Sequence, residues 1–282
     1  MTLNPLSPLL YEPLVRAALL EDLGRAGDIT TDAIVPPEQG ASLGLKARQH
    51  GAIAGLEMAR CVFQLVSPAV RMEIERPDGS AVAPGDTIAT ISGPARALLT
   101  GERTALNFLC RLSGVATAAA SLVAAVKGTR AQIVCTRKTT PGLRALEKYA
   151  VRAGGGGNHR FGLDDAVLIK DNHIAVAGGI RPAIARAKAH VGHLVKIEVE
   201  VDTLAQLEEA LALGIDAVLL DNMTIEDLRQ AVAMVGGKAI TEASGRITAA
   251  TAPAIAATGV DLISAGWITH SSAALDIGLD HL

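Results

Sequence analysis

Beyond Lys127 the chain settles into a regular alternation: short apolar runs at 132–136, 166–170, 194–201, 217–221, 238–243 and 261–265, separated by stretches of helical pattern. Strands that alternate with helices pair in parallel, because a parallel neighbour needs a crossover connection. Such βα units closed on themselves make a barrel with its chemistry at the C-terminal strand ends. The strand ends here fit that rule. In order they carry Arg137 and Lys138, Lys170 and Asp171, Glu198 and Glu200, Asp221 and Asn222, Glu242 and Ser244, then Ser264 and Gly266. A full barrel of this kind has about eight strands, and six runs are read, so either the barrel is incomplete or strands escape the pattern. An open doubly wound sheet, which also places polar groups at carboxyl strand ends, is the competing arrangement.

The first part of the chain reads differently. An amphipathic helix at 12–23 leads into the turn G-R-A-G-D-I-T-T-D; strand-like segments at 42–48, 70–75 and 87–91 follow, with a helix at 56–66. A helical stretch at 95–126 is interrupted at Ser113-Gly114, and the domain boundary is placed there. The expected organisation is an α+β domain over 1–112, a βα domain over 113–268, and a segment 269–282 that packs back on the first domain.

Only 2% of the 282 residues are aromatic and the formal charge is −3, which argues against nucleic-acid binding, since single-strand grooves pair basic residues with stacking rings. Cys61, Cys110 and Cys135 are widely spaced and odd in number, and read as reduced thiols. The N-terminus lacks a basic n-region, and the charge-poor run at 112–126 is too short and polar to span a bilayer. A soluble cytoplasmic protein without a membrane partner is expected.

Positive charge is local. The stretch 135–173 holds Arg137, Lys138, Arg144, Lys148, Arg152, Arg160 and Lys170 with His159 and His173, around the glycine run Gly154 to Gly157. Arginine grips carboxylate or phosphate bidentately and glycine admits a ligand close to the backbone, so a small polyanion suits this cluster. A solvated basic face is the plainer alternative.

Glu198 and Glu200 in K-I-E-V-E-V-D share one side of a strand, with Glu200 nearer the C-terminal mouth. Glu200 and Asp221 make a carboxylate pair suited to Mg²⁺ carrying a phosphorylated substrate, or to a cationic sugar transition state. Salt bridges to Lys170 or Lys196 are the structural alternative. E-A-S-G-R, 242–246, and S-A-G-W, 264–267, are neighbouring strand-to-helix turns of the kind that bind one phosphate. Lys170 at a strand end also permits Schiff-base chemistry of the aldolase type. His190 and His193 lack a third ligand and read as surface residues, and nothing local marks Arg103.

Taken together, E-D-L-G-R-A-G-D-I-T-T, G-E-R-T-A-L-N-F-L-C-R-L-S-G-V-A-T, T-R-K-T-T-P-G-L-R, G-G-G-G-N-H-R, L-I-K-D-N-H, E-V-E-V-D, L-L-D-N-M and E-A-S-G closely resemble the quinolinate phosphoribosyltransferase family. These are the decarboxylating nicotinate-nucleotide pyrophosphorylases of NAD biosynthesis. The resemblance implies an N-terminal α/β sandwich followed by an incomplete α/β barrel. It implies a reaction of quinolinate with phosphoribosyl pyrophosphate that needs Mg²⁺ and gives nicotinate mononucleotide, pyrophosphate and carbon dioxide.

It further implies a homodimer, or a higher even oligomer, in which Arg103 reaches the neighbouring subunit's site. Arg137, Lys138, His159, Arg160 and Lys170 fall on the family's positions for the quinolinate carboxylates and the phosphorylated ribose. Glu200 and Asp221 fall on the acidic pair near ribose and metal; Ser244, Gly245 and Gly266 fall on the 5′-phosphate turns. Arg246 departs from the family's common second glycine. A relative associated with molybdenum transport shares the fold and is the alternative within it.

Overall fold

The computed structural model describes residues 3–281. Two compact units divide the chain: the first takes residues up to 120 with 140–155 and 271 onward, the second takes 121–139 and 156–270.

The first unit opens with α1 (Pro8–Leu23), whose Tyr11, Val15 and Leu19 recur every four residues and are buried. It starts four residues before the expected point because Pro8 occupies the first turn, where its fixed φ and missing N–H cost nothing. α2 (Ile29–Ile34) is capped by Asp28, whose carboxylate accepts from the Thr31 backbone at 2.9 Å. Then follow β1 (Gly40–Ala47), β2 (Gly51–Ala52), α3 (Leu56–Val66), β3 (Arg71–Ile74), β4 (Ala81–Val82), β5 (Thr87–Pro94), α4 (Ala95–Ala125) and α5 (Arg144–Ala153).

α4 does not break at Ser113-Gly114. The Ser113 hydroxyl is taken by the Ala54 backbone, accepting from its N–H at 3.1 Å, and a Cβ at Gly114 would collide with the Ala273 carbonyl. The small residues mark a close approach of backbone, not a helix end. α4 is also long and apolar enough to cross a bilayer, which the shorter window at 112–126 missed. Its Leu98, Leu109, Leu112 and Val115 lie at 0–1% exposure and form core of this unit. α5 joins the same unit because Leu146, Tyr149, Ala150 and Val151 are buried and Gly154 lets the chain pass against Ala116 of α4.

The second unit carries the parallel strands: β6 (Gln132–Val134), β7 (Val167–Ile169), β8 (Ile197–Val201), β9 (Ala217–Asp221), β10 (Ile240–Ser244) and β11 (Leu262–Ser264). Between them run α6 (Asp171–Ala177), α7 (Ile180–His190), α8 (Leu204–Leu211), α9 (Ile225–Val235), α10 (Ala252–Ala256) and, after β11, α11 (Trp267–His270). The last strand, β12 (Ile277–His281), returns to the first unit and pairs antiparallel with β1, giving a sheet of order β12-β1-β5-β3 beside the small β2-β4 ribbon.

The parallel sheet has the order β6-β11-β10-β9-β8-β7. That is the cyclic order of a barrel with one pairing, β6 to β7, left open. A doubly wound sheet would reverse direction about a switch point, and this one does not. Val199, Val218, Leu220 and Ile263 are fully buried within it, which explains the nearly continuous apolar runs of the sequence.

Candidate active site

All six parallel strands finish at one mouth, and two adjoining cavities open there. The first, about 490 Å³, is lined by Arg137, Lys138, His159, Arg160, Lys170, Glu200, Asp221, Glu242 and Ser264, among others. The second, about 370 Å³, is lined by Asn222, Gly245, Arg246, Gly266, Trp267 and His270. Thr136, Lys138, Asp221, Ser244 and Ser264 belong to both, so the two form a continuous cleft.

Buried polar groups in proteins almost always find partners. Among the described residues five buried side-chain atoms do not: Arg137 Nε, Arg160 Nε, both Glu242 oxygens and Ser264 Oγ. All belong to residues lining the first cavity. Arg160 spends one guanidinium nitrogen on the Ala166 carbonyl at 2.9 Å. Burial, then the nearby Arg137 charge, holds its pKa below the ordinary arginine value. Two arginines placed to repel each other, with donors unspent, form a site completed by an anion.

Beside them, His159 Nδ1 accepts from the Arg160 backbone at 2.7 Å while Nε2 lies 2.9 Å from Glu198 and 3.6 Å from Glu242. Ligand atoms of these three residues lie within 4.8 Å of one another. An Nδ1 that accepts leaves the proton on Nε2, so a donor, not a lone pair, faces the carboxylates. The hydrogen bonds His159 makes to Glu198 and to the Arg160 backbone therefore fix the imidazole tautomer and the turn before Arg160, with Glu242 close by but not hydrogen-bonded to it. Burial and then repulsion from Glu198 push the Glu242 carboxyl up to about 7.

Toward the mouth, Lys170 Nζ sits 2.6 Å from Glu200. The Lys170 side chain is 46% exposed; the desolvation that would ready a lysine for Schiff-base chemistry is missing, and its charge is matched. The next strand presents Asp221, which accepts from the Asn222 amide at 2.6 Å. Glu200 and Asp221 supply oxygen donors on one cavity wall, a set that fits Mg²⁺, which takes one or two carboxylates together with substrate phosphates.

Two close approaches shape the second cavity. A Cβ at Gly266 would press on the Lys138 side chain at 2.8 Å, and one at Gly245 (φ 103°) would strike the Asn222 amide. Trp267 Nε1 donates to the Ile247 carbonyl at 2.8 Å and ties α11 to the turn after β10. Thr269 donates to the Lys138 carbonyl at 2.6 Å and ties α11 to the loop after β6.

Residues 28–113 match the quinolinate phosphoribosyl transferase N-terminal domain and 115–280 its C-terminal domain. The chain belongs to the quinolinate phosphoribosyltransferase family. It is 45% identical over 267 residues to a probable nicotinate-nucleotide pyrophosphorylase (carboxylating) of Bacillus subtilis, covering 95% of this chain and 92% of that protein. It is 44% identical to the nicotinate-nucleotide pyrophosphorylase (carboxylating) of Mycobacterium leprae, covering 94% and 95%. The crystal structure of NadC from Streptococcus pyogenes superposes with a TM-score of 0.95 at 42% identity, covering 98% of each chain.

For a quinolinate phosphoribosyltransferase fold, the sequence expectations divide cleanly. Arg137, Lys138, His159, Arg160, Lys170, Glu200, Asp221 and Ser244 line the first cavity, and Gly245 and Gly266 line the second. Arg144, Lys148 and Arg152 do not join them: they belong to α5 in the first unit, where Lys148 is fully buried. His173 accepts from the Lys170 backbone at 2.9 Å and caps α6. Two glycines of the run are taken up by packing within the fold: Gly154 seats against Ala116, and Gly157 donates to the Ile133 carbonyl at 2.7 Å along the open edge of β6. Arg103 is exposed on α4, in the first unit.

The lysine pairings named as the structural alternative also divide: Glu200 does take Lys170, while Lys196 takes Asp216 at 2.7 Å. Thr136 and His270 line the cleft without having been singled out in the sequence. Thr136 was open to discovery as the residue directly before Arg137; His270 carries no local signal beyond following the S-A-G-W turn by three residues.

Proposed function

We propose that this chain transfers the phosphoribosyl group of phosphoribosyl pyrophosphate to quinolinate with decarboxylation, giving nicotinate mononucleotide, pyrophosphate and carbon dioxide. The observation that carries this reading is the set of buried, unpartnered atoms gathered in one cleft, headed by the two arginine Nε donors. A dicarboxylate satisfies both arginines at once, and each charge-assisted hydrogen bond contributes about 1.5–3 kcal/mol. The names of the relatives favour the pyridine-using branch over the molybdenum-associated one.

Arg137 and Arg160, with Lys138 and Lys170 beside them and His159 bracing the turn, hold the two carboxylates and so set the pyridine nitrogen against the anomeric carbon. Positioning of this kind removes much of the entropic barrier of a two-substrate step. Glu200 and Asp221 face the ribose, where fixed negative charge favours an oxocarbenium-like transition state. Mg²⁺, which Glu200 and Asp221 would hold together with substrate oxygens, supplies neutralisation of the departing pyrophosphate. Once ribosylated, the pyridinium ring accepts the electron pair left at C2 as the carboxylate departs, and no covalent enzyme adduct is required.

The active unit in this reading is a homodimer, with Arg103 of the partner subunit as a further cation for quinolinate. The exposure of Arg103 and its lack of a hydrogen bond or ion pair among the described residues support this. Cys61, Cys110 and Cys135 stand as thiols outside any disulfide, which supports a reducing, cytoplasmic setting.

Release of labelled carbon dioxide from carboxyl-labelled quinolinate tests the proposal. Release that requires both phosphoribosyl pyrophosphate and Mg²⁺ is expected; none from folded protein would overturn it.

A further inference from the structure

Asn222 (φ 52°) and Arg246 (φ 50°) are the two non-glycine residues with left-handed backbone among the described residues, and both line the second cavity. Left-handed backbone is tolerable for asparagine, whose short amide bonds locally, and unfavourable for arginine, so surrounding contacts must impose it. They do so here. Gly245 precedes Arg246 at φ 103°, and the buried Ile247 follows it, with its carbonyl held by Trp267 at 2.8 Å.

The side chain so placed is exposed, and its guanidinium makes no hydrogen bond or ion pair among the described residues. Lys138 and His270 share the cavity with it, as does the Ser244 hydroxyl. Asp221 is the one carboxylate on the lining, and it already accepts from Asn222 at 2.6 Å. A cavity with this balance of charge takes an anion, and its narrow glycine turns admit a compact one. Because Asp221, Ser244 and Ser264 bound both cavities, a ribose lying across them would carry its 5′ end into the second.

We infer that Arg246 binds the 5′-phosphate of phosphoribosyl pyrophosphate, its strained backbone holding the guanidinium over the turn after β10; the inference rests on the proposed reading of the cleft. Arg246 then sets selectivity for a terminal phosphate monoester and has no role toward the pyridine.

Ribose 5-phosphate carries that monoester without the pyrophosphate, and pyrophosphate carries the reverse, so the two probes separate the sites. Titration calorimetry on wild type and on the Arg246→Gln and Arg246→Gly variants reads binding whether or not turnover occurs. For a partly exposed charge-assisted contact, Arg246→Gln should weaken ribose 5-phosphate about tenfold and leave pyrophosphate within about twofold. In turnover, KM for phosphoribosyl pyrophosphate should rise by a similar factor while KM for quinolinate holds. Arg246→Gly, which removes the strain with the charge, should lose the same affinity while melting no lower than wild type. Unchanged ribose 5-phosphate affinity in Arg246→Gln would sink the assignment, as would an equal loss for both probes. Absence of turnover in the wild type would instead sink the reading of the cleft.

Discussion

The Lys170 ammonium and the Glu200 carboxylate meet at 2.6 Å at the mouth of the barrel, the lysine half-exposed and the glutamate largely buried. The pair can be a structural salt bridge or a catalytic carboxylate with its charge temporarily matched. Glu200→Gln separates the two. If Glu200 stabilises developing positive charge on the ribose, kcat falls about 10²–10³-fold, in the range seen for loss of one preorganised electrostatic group. KM for quinolinate should not rise, because the change frees Lys170. Steady-state kinetics beside a thermal melt checks this: a drop in melting temperature with kcat preserved would return the pair to a structural role.

The barrel half was readable because two independent signals coincide in it. Apolar runs of strand length mark the elements, and a polar residue at each carboxyl end marks the face, so Lys170, Glu200 and Asp221 could be placed before any coordinates. Residues whose role depends on backbone approach were not readable. Ser113-Gly114 and Gly154 look like breaks in a sequence, since glycine weakens helices; only the positions of Ala273 and Ala116 show that they permit contact. Charge density along the chain misled for a related reason: Arg144, Lys148 and Arg152 are near Arg137 in sequence but ride on α5 into the first unit. The left-handed backbone of Arg246 has no signature in residue type, because arginine is not a residue that favours it.

Arg137 offers a direct test of the carboxylate site. Its Nε is buried and unpartnered, and lysine at this position would keep the charge but lose the planar fork. Arg137→Lys should raise KM for quinolinate about 10–100-fold, the equivalent of one charge-assisted hydrogen bond. KM for phosphoribosyl pyrophosphate should change far less. Near-normal quinolinate saturation would remove Arg137 from the site.

Glu242 makes stability depend on pH. Its carboxyl is raised from the usual 4.5 to about 7 by burial and by Glu198, with His159 and Lys170 acting in the opposite sense. A carboxyl with a higher pKa in the folded state favours folding while protonated, and that advantage is lost as pH climbs from about 4.5 through about 7. Glutamine is neutral throughout, and its amide can donate to Glu198. Glu242→Gln should therefore gain on wild type between pH 5 and pH 8, by an amount on the order of 2–3 kcal/mol. Urea denaturation at several pH values measures this; parallel pH profiles for the two proteins would show that Glu242 ionises normally.

Arg103 lies exposed on α4 and Lys138 lines the barrel cleft. If each site takes Arg103 from the partner subunit, the two residues belong to different chains of one site, and two inactive variants can complement each other. A dimer of one Arg103→Ala chain and one Lys138→Ala chain holds one barrel with an intact lysine, facing a partner that still supplies the arginine. Its other site lacks both. Random exchange of equal amounts makes half of the dimers hybrid, so about a quarter of the wild-type sites should return, as expected for a closed twofold assembly. Activity of the mixture is measured after exchange is verified by native mass spectrometry. No recovery in a verified hybrid population would place Arg103 outside a shared site.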